Sequence, residues 1–364
     1  MKKAIVHFIP VRDGEPTASV AAKTARILKA AGFRRLVRKG CACALKTHFG
    51  EGNCAGYVKP EVAAEVCRFA KKLGALPFVT DTNTLYRGRR SNAVDHILQA
   101  EEHGFTTERL GAPVIIADGL HGADQVSVPV KNTKHFAAVR IATALHQAPC
   151  SIVLTHVKGH IAVGLGAAIK NIGMGCAARA GKLAQHHGGV PIFRKAKCVA
   201  CGICARWCPT GAIRIEAGSS KKKHAVLSPE KCVGCGECLA LCPEDAVDFN
   251  WGEDGAELCE KIVEHALGFS LTKPRGVGYL NYVMDVTRNC DCVGTKQKAE
   301  RPNVGILAST DAVAVDKATA DLCLKEYGHD VWREWWPESK YELLFSYGEE
   351  VGLGTTRYEL VEVK

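Results

Sequence analysis

The sequence lacks an apolar run long enough to cross a membrane. Its most apolar long stretch covers residues 150–172 and is interrupted by His156, Lys158 and His160, whereas a bilayer helix needs about 20 consecutive apolar residues. A short apolar run follows Lys2 and Lys3. It is too short for a signal peptide and predicts a first β-strand instead. We therefore expect a soluble protein that has no membrane as a partner.

Disordered and nucleic-acid-binding segments are also missing. No low-complexity block or disordered tail is present. The formal net charge is +10, but lysine and arginine are scattered and form no basic stripe with aromatic platforms. Because nucleic acids are usually bound through such stripes, we expect no nucleic-acid partner.

Cysteine, in contrast, is abundant, with 18 residues in the chain. In a secreted protein so many cysteines would indicate disulfides. Several of them stand in C-x2-C spacings and no export signal is visible, so metal binding is the better interpretation. The expected localisation is therefore the reducing cytoplasm.

Eight of these cysteines belong to an internal repeat. The first copy, from Lys197, reads KCVACGICARWCPTGAI, and the second, from Lys231, reads KCVGCGECLALCPEDAV. Both copies have the spacing C-x2-C-x2-C-x3-C-P, and each cysteine of the first copy precedes its counterpart by 34 residues. The duplication predicts two similar sites in a pseudo-twofold arrangement.

The doubled spacing predicts two 4Fe–4S clusters as cofactors. In bacterial two-cluster ferredoxins, three closely spaced cysteines bind one cluster and the fourth binds the other. Zinc sites usually combine two C-x2-C pairs, which makes zinc the weaker alternative. Crossed ligation predicts a first set of Cys198, Cys201, Cys204 and Cys242, and a second set of Cys232, Cys235, Cys238 and Cys208.

The rest of the chain alternates apolar runs with helix-like stretches. Strands are predicted at 4–9, 42–46, 76–80, 114–117, 151–154, 279–286 and 304–308, and helices at 19–31, 61–73, 93–103, 255–267 and 312–327. This alternation predicts an α/β fold, a mostly parallel sheet with helices on both faces, interrupted by a small ferredoxin-like α+β module. The expected parts are the first part of the α/β body at 1–190, the module at 191–250 and the second part of the body at 251–364.

Polar residues follow the predicted strands, at the edge where open α/β sheets bind their ligands. The candidate catalytic residues are Lys46, His156, Lys158, His160 and Asp291. Histidines titrate near neutral pH and can donate protons, while the lysines can bind a small anionic substrate. Taken singly, a polar residue at a strand end often just caps a helix or forms a turn, so the prediction concerns the set.

A Cys-x-Cys pair follows one predicted strand. On an extended backbone the sulfur atoms of Cys290 and Cys292 point to one face, where they bind a third metal centre or remain free thiols, and both alternatives stay open. Cys41 and Cys43 have the same spacing but alternate with alanines inside a predicted buried strand, so they are interpreted as core residues. The glycine-rich segment 159–171 predicts either an anion site at a helix start or close backbone packing.

Several segments resemble a known family, the domain of unknown function family 362. The resemblance rests on LKTHFGEG, HVKGHIAVGLGAAIKNIGMG, RNCDCVG and GILASTDAVAVDKATADL. The inserted repeat resembles a bacterial-type two-cluster ferredoxin domain, which many members of the family carry. The resemblance implies an architecture and a site but no reaction. The residues that match its motifs are Lys46, Glu51, His156, Lys158, His160, Lys170, Asn171, Cys290, Asp291, Cys292, Asp311 and Asp316.

These observations predict an iron–sulfur protein that passes single electrons through two clusters to a substrate or metal site in an α/β cleft. Its expected partner is a redox protein such as a ferredoxin or a reductase. Two alternatives stay open: an electron carrier or assembly factor without its own substrate, and clusters with a structural role only. Whether the chain is an enzyme, possibly an iron–sulfur oxidoreductase, is left undecided by the sequence.

Overall fold

The computed structural model describes residues 3–54, 56–186, 190–218, 222–249 and 255–364. Its strands are β1 Ala4–Pro10, β2 Ala42–Lys46, β3 Leu76–Asp81, β4 Val114–Ile116, β5 Gln125–Pro129, β6 Ala138–Ala142, β7 Cys150–His156, β8 Lys158–His160, β9 Gly164–Gly166, β10 Ile192–Phe193, β11 Ile213–Ala217, β12 Lys223–Leu227, β13 Val247–Asp248, β14 Val277–Val283, β15 Gly305–Ser309 and β16 Tyr358–Glu362. Its α-helices are α1 Thr17–Ala30, α2 Pro60–Lys72, α3 Ala93–Glu102, α4 Thr107–Leu110, α5 Thr143–Gln147, α6 Ala168–Gly173, α7 Arg179–Gln185, α8 Ile203–Arg206, α9 Glu237–Leu241, α10 Gly255–Leu271, α11 Ala312–Tyr327, α12 Val331–Trp335 and α13 Leu343–Glu350.

One eight-stranded sheet organises the body, in the strand order β16-β1-β15-β14-β7-β2-β3-β4. β15 is antiparallel to both of its neighbours, and the other neighbouring pairs are parallel. The carboxyl ends of the parallel strands therefore share one edge of the sheet, as the sequence predicts for a mostly parallel arrangement.

The strands direct alternate side chains into two hydrophobic cores. On β7, Ile152 and Leu154 join one core, whereas Val153 joins the other, because successive side chains of a strand point to opposite faces. Helices α1 and α2 cover the first core, and α6, α10 and α11 cover the second. The predicted α/β fold with helices on both faces is confirmed.

A small module lies between the two parts of the body in sequence. Its first and last strands, β10 and β13, pair antiparallel, and β11 pairs antiparallel with β12. Its hydrophobic cluster has four buried members, Ile213, Ala225, Cys238 and Val247. The predicted limits of this part at residues 191 and 250 stay predictions, and residues 250–254 lie outside the described ranges.

The backbone of the module repeats itself as the sequence does. Gly202 and Gly236 precede α8 and α9 with φ angles of 76° and 75°. Ala200 (58°) and Gly234 (62°) also match, and they lie at equivalent positions of the two copies. Equal conformations at equivalent positions support the pseudo-twofold arrangement that the duplication predicts.

Several short elements were not predicted from the sequence. They include the hairpins β5–β6 and β8–β9, the helices α4 to α7 and, near the carboxyl end, α12, α13 and β16. Each of these is short, and β16 pairs at the sheet edge with β1, more than 300 residues away in the chain. Among the described helices, none is both long and apolar enough to span a membrane.

Candidate functional site

A cavity of about 800 Å³ opens at the carboxyl edge of the sheet. Its walls come from the segments behind β2, β3, β7 and β14, from α6, α7 and α10, and from a loop near the carboxyl end of the chain. Among its described lining residues are five lysine and arginine side chains, Lys46, Arg90, Lys158, Lys170 and Lys182, against two carboxylates, Asp81 and Glu338. This excess of cations favours an anionic ligand.

Lys46, the last residue of β2, lines the cavity, and its ammonium group is held in place by two neighbouring side chains. Its Nζ lies 2.9 Å from Asp81 Oδ1 and donates a hydrogen bond to Asn171 Oδ1 at 2.8 Å. Burial by itself would raise the pKa of Asp81, but Lys46, His96 and Arg90 outweigh it and keep this pKa below its ordinary value. Asp81 is therefore a carboxylate that balances the buried lysine.

Arg90 extends the same ion-pair network. It contacts Asp81 at 3.3 Å and Glu51 at 3.1 Å, and it is 2% exposed. Glu51, one of the residues carried over by resemblance, also accepts a hydrogen bond from the Arg89 backbone N–H at 3.0 Å. Glu51 thus holds the loop that carries Arg90 and does not itself line the cavity.

A second buried network lies behind Lys158. Asp291 is fully buried and accepts hydrogen bonds from His156 Nδ1 at 2.9 Å and from Lys158 Nζ at 3.0 Å. The other ring nitrogen of His156 contacts the Met284 carbonyl oxygen at 2.9 Å. Both nitrogens of His156 are therefore engaged, and neither His156 nor Asp291 is among the residues that line the cavity.

His160, Cys290 and Cys292 form a cluster of metal-ligating atoms. One ligand atom from each lies within 4.8 Å of the others, and all three residues line the cavity. The Cys-x-Cys segment is not extended as predicted but forms a turn, in which the Val293 backbone N–H donates to the Cys290 carbonyl oxygen at 3.0 Å. The turn, and not strand geometry, brings the two sulfur atoms together.

The surroundings of this cluster favour a thiolate at Cys290, whereas the hydrogen bond to Cys290 and burial raise the pKa of Cys292 well above its ordinary value. A hydrogen bond from Cys292 holds the pKa of Cys290 well below its ordinary value, and Lys170 and Lys158 lower it further against the effect of burial. Burial, with Lys170 and Lys158 nearby, also keeps the pKa of His160 well below its usual range. A thiolate and a neutral imidazole are the forms in which these side chains bind metals.

Lys170 and Lys182 are the cations best placed for a ligand. In the part of the chain that the structure describes, no carboxylate lies within ion-pair distance of either. Lys170 Nζ is 3.8 Å from Cys290 Sγ, and Lys182 Nζ donates to Thr82 Oγ1 and the Ala177 carbonyl oxygen, both at 2.6 Å. Burial lowers the pKa of Lys182 to about 8.

The rest of the cavity wall is apolar. Met174, Leu258, Ile262 and Trp336 contribute to it, together with the exposed side chain of Ile161. Cavities of about 300–1,000 Å³ with apolar walls and few polar groups are typical of sites for small molecules. The cavity therefore suits a molecule with one anionic group and an apolar part.

The eight repeat cysteines gather in two groups in the module. One small cavity is lined by the whole first set, Cys198, Cys201, Cys204 and Cys242. A second is lined by the whole second set, Cys208, Cys232, Cys235 and Cys238, with Cys204 at its border. All eight are free thiols in the structure. The fourth cysteine of each copy thus lies with the first three of the other copy.

Backbone N–H groups point at the sulfur atoms in both sets. Cys208 Sγ accepts from the Ala212 N–H at 3.2 Å, and Cys242 Sγ accepts from the Ala246 N–H at 3.3 Å. These bonds are equivalent in the two copies of the repeat. Hydrogen bonds to sulfur are among the features that tune bound iron–sulfur clusters, so the donor set and its surroundings fit such a cofactor.

The module and the cavity meet at helix α7. Arg179 of α7 packs on Gly236, where an added Cβ atom would come within 3.0 Å of its side chain. One turn later, Leu183 shares an apolar cluster with Leu239 of the module, while Lys182 lines the cavity. The helix is therefore a shared wall between the second cysteine set and the cavity.

A loop makes a further contact between the first set and the cavity. Arg87 donates hydrogen bonds to the carbonyl oxygens of Cys242 at 3.1 Å and Pro243 at 2.9 Å. Its neighbours Leu85 and Tyr86 line the cavity. Both cysteine sets thus contact segments that form the cavity wall.

Of the residues singled out from the sequence, seven line the cavity: Lys46, Lys158, His160, Lys170, Asn171, Cys290 and Cys292.

Asp311 lies elsewhere and caps α11 through a hydrogen bond from the Ala314 N–H at 2.8 Å. Asp316 accepts from the Ala168 and Ile169 N–H groups at 2.9 and 2.8 Å. It therefore occupies the helix start at which the glycine-rich segment had suggested an anion site. The close-packing alternative is the right one, since an added Cβ at Gly159 would lie 2.2 Å from the Arg288 carbonyl oxygen.

The remaining cysteines are core residues or lie near the core. Cys54, Cys67, Cys150, Cys176, Cys259 and Cys323 are all buried, as is Cys43, while Cys41 is half-buried. Cys54 is the one nearest the candidate site, since its Sγ lies 3.9 Å from Asp291 Oδ1.

Sequence reasoning missed several residues of the cavity. Arg90 lies in segment 87–90, whose three arginines were interpreted as part of a solvated surface. Lys182 lies in α7, a helix that was not predicted. The segment 336–339 reaches the cavity from far along the chain. His48, in the polar segment 47–53 that the sequence places behind β2, also lines the cavity.

Comparison with known proteins gives few relatives. None of the curated proteins matches the sequence. Among solved structures, the lactate racemase apoprotein from Thermoanaerobacterium thermosaccharolyticum is 9% identical, with a TM-score of 0.37 over 78% of this chain and 51% of that chain. A protein from Thermotoga maritima is 7% identical, with a TM-score of 0.44 over 88% of this chain and 61% of that chain.

The chain thus spans about half to three fifths of the length of these two proteins. The family described as "Domain of unknown function (DUF362)" matches residues 43–321. This match includes the sheet segments behind β2, β7 and β14, the residues of the cavity that they carry, and the whole module. The chain belongs to the DUF362 family.

Proposed function

We propose that this chain is an iron–sulfur oxidoreductase, in which a ferredoxin-like module with two 4Fe–4S clusters delivers single electrons to the cavity at the edge of the α/β sheet. The observation that carries the proposal is the crossed grouping of the eight repeat cysteines beside that cavity. A doubled C-x2-C-x2-C-x3-C-P motif is typical of two-cluster ferredoxins.

The first and second cysteine sets would hold one cluster each. Such clusters supply one-electron transfer at potentials set by their surroundings. The hydrogen bonds to Cys208 and Cys242 are one such influence. Arg140 is another, because it donates to the Val233 carbonyl oxygen at 3.2 Å, next to Cys232. A nearby positive charge stabilises the more negative, reduced form.

Contact between the module and the cavity supports delivery of electrons to a ligand there. α7 contacts Gly236 and Leu239, which are next in sequence to Cys235 and Cys238, through Arg179 and Leu183, and it lines the cavity through Lys182. Arg87 ties the first set to the loop that carries Tyr86. A module that served only as a separate carrier would not need its cysteine sets against the wall of a ligand-sized cavity.

The residues of the cavity suit a small anionic substrate. Lys170 and Lys182 offer positive charge that no described carboxylate pairs with, whereas Lys46 and Lys158 are balanced by Asp81 and Asp291. Lys182 Nζ, with a pKa lowered to about 8, is placed to hold or give up a proton near neutral pH. The partner that supplies electrons would be a ferredoxin or a reductase in the cytoplasm.

Metal analysis tests the proposal directly. Protein purified without oxygen is expected to be brown and to carry about eight iron and eight sulfide per chain. It should give electron paramagnetic resonance signals after reduction at low potential. Zinc as the main metal, without broad visible absorption, would refute the proposal. Full iron that cannot be reduced reversibly would instead favour the structural role of the clusters.

A further inference from the structure

We propose that His160, Cys290 and Cys292 bind a single thiophilic metal ion, of the Zn²⁺ class, whose fourth position opens into the cavity beside Lys170 and takes a donor atom of an anionic ligand. This inference does not depend on the proposed function, because an ion of the Zn²⁺ class exchanges no electrons with the clusters. The metal site is argued from the body of the protein, and none of its ligands belongs to the module.

The spacing of the three side chains fits one ion. Their ligand atoms lie within 4.8 Å of one another. A tetrahedral ion bound at about 2.3 Å to sulfur and about 2.0 Å to nitrogen holds its ligand atoms roughly 3.5–3.8 Å apart. Small side-chain movements therefore suffice to close the site. Two thiolates and an imidazole are ligands that zinc and similar ions prefer.

His160 is held by a turn that leaves its ring available. Its Nδ1 accepts from the Ala162 and Val163 N–H groups at 3.2 and 3.3 Å, at the long end of the hydrogen-bond range. A metal bond at Nδ1 would replace these two long contacts. His156, in contrast, has both nitrogens engaged with Asp291 and Met284, so it is not a ligand.

Three protein ligands leave one position for a ligand from the cavity, as in catalytic zinc sites. Two thiolates neutralise a divalent ion, and Lys158 is already balanced by Asp291 at 3.0 Å. The ammonium group of Lys170, which lies 3.8 Å from Cys290 Sγ, then gives the site one excess positive charge. An anion that binds the ion also pairs with Lys170, and its apolar part lies against Met174 and Trp336.

Zinc binding by the iron-loaded protein tests this site. Equilibrium dialysis with Zn²⁺ is expected to give one zinc per chain, and X-ray absorption at the zinc edge is expected to show two sulfur neighbours and one histidine nitrogen. A Cys290→Ser/Cys292→Ser variant should weaken binding more than about 100-fold, since loss of an outer partner alone costs about 10–100-fold. His160→Asn should keep the sulfur neighbours and lose the nitrogen.

Two control variants distinguish loss of the zinc site from general effects of mutation on the protein. Cys54→Ser removes a buried thiol near Asp291, and burial raises the pKa of this thiol to about 11. His48→Asn removes another histidine that lines the cavity and lies outside the cluster. Both variants should retain the zinc site. Equal zinc binding by the double cysteine variant, or loss of binding in the controls alone, would overturn the assignment.

Bromide probes the open position, because a zinc–bromide neighbour is distinct in the X-ray absorption data. It should appear in the wild type and weaken in Lys170→Met. A zinc ion that stays unchanged at high bromide concentration would show that no position is open. A zinc ion with four sulfur neighbours would place it in the module, and iron measured on the same sample separates this failure from failure of the proposed function.

Discussion

The two groups of cysteine in this protein are built in different ways. In the module, the clustered cysteines come from two short copies of one motif, and the hydrophobic cluster around them has four buried members among the described residues. At the cavity, Cys290 and Cys292 meet His160 from a distant segment, on a body with two large hydrophobic cores. The first site is local in sequence, and the second is made by the tertiary fold.

The difference has a consequence for stability. A module with so few buried residues has little hydrophobic stabilisation of its own, so we expect its fold to depend on what its cysteines bind. The cavity edge belongs to a sheet that is covered on both faces, so its side chains are held in place without a bound ion. Ion pairs hold the side chains in place there, as in the buried network of Lys46, Asp81 and Arg90.

The largest effect is expected from breaking one cysteine set of the module. Cys242→Ser should remove about half of the iron, because this residue completes the set that contains Cys198, Cys201 and Cys204. Its electron paramagnetic resonance spectrum should match that of Cys201→Ser and differ from that of Cys235→Ser. The far-ultraviolet circular dichroism of the body should change little. A spectrum that matches Cys235→Ser would show that ligation is not crossed.

The next effect concerns the buried charges of the body. Asp81→Asn leaves Lys46 and Arg90 without their shared carboxylate and is expected to lower the free energy of unfolding by about 3–5 kcal/mol. Glu342→Gln is the control, because Glu342 and its partner Arg333 are both exposed and such pairs contribute at most about 1 kcal/mol. Urea unfolding followed by tryptophan fluorescence measures both. Equal losses in the two variants would contradict the assigned role of Asp81.

The smallest effect concerns the backbone of the repeat. Ala200 has a φ angle of 58°, where its counterpart Gly234 has 62°, and only glycine adopts this conformation without strain. Ala200→Gly is expected to stabilise the module by about 0.5–1 kcal/mol, and Gly234→Ala to destabilise it by about 1–2 kcal/mol. The temperature at which cluster absorption is lost on heating measures both changes. A stabilising Gly234→Ala would show that the two copies are not conformationally equivalent.

The frame of the fold was largely predictable. Strand β2 and helix α11 begin and end where the sequence pattern places them, and most other predicted elements differ by a few residues at their ends. Long apolar runs separated by amphipathic helices are strong local signals. The largest differences are at α10, which continues four residues beyond its predicted end to Leu271, and at β14, which ends three residues early at Val283.

The candidate site was predictable only in part. Lys46, Lys158 and His160 were singled out and do line the cavity, but His156 and Asp291 were assigned to the same group and lie behind it. Both groups lie at or just after the ends of predicted strands and look alike in sequence. Side-chain direction at the end of a strand depends on the packing of neighbouring segments, which the sequence pattern does not reveal.

The sequence by itself determined the grouping of eight cysteines into two crossed sets, because ligand spacing within a short motif is a local property of the chain. The tertiary structure alone decided which polar residues share the cavity. Lys46 meets Asn171 across 125 residues, and Lys170 meets Cys290 across 120. Such contacts depend on the order of strands in the sheet and on turns such as that at Cys290, since parallel strands bring their carboxyl ends together whatever their distance in sequence.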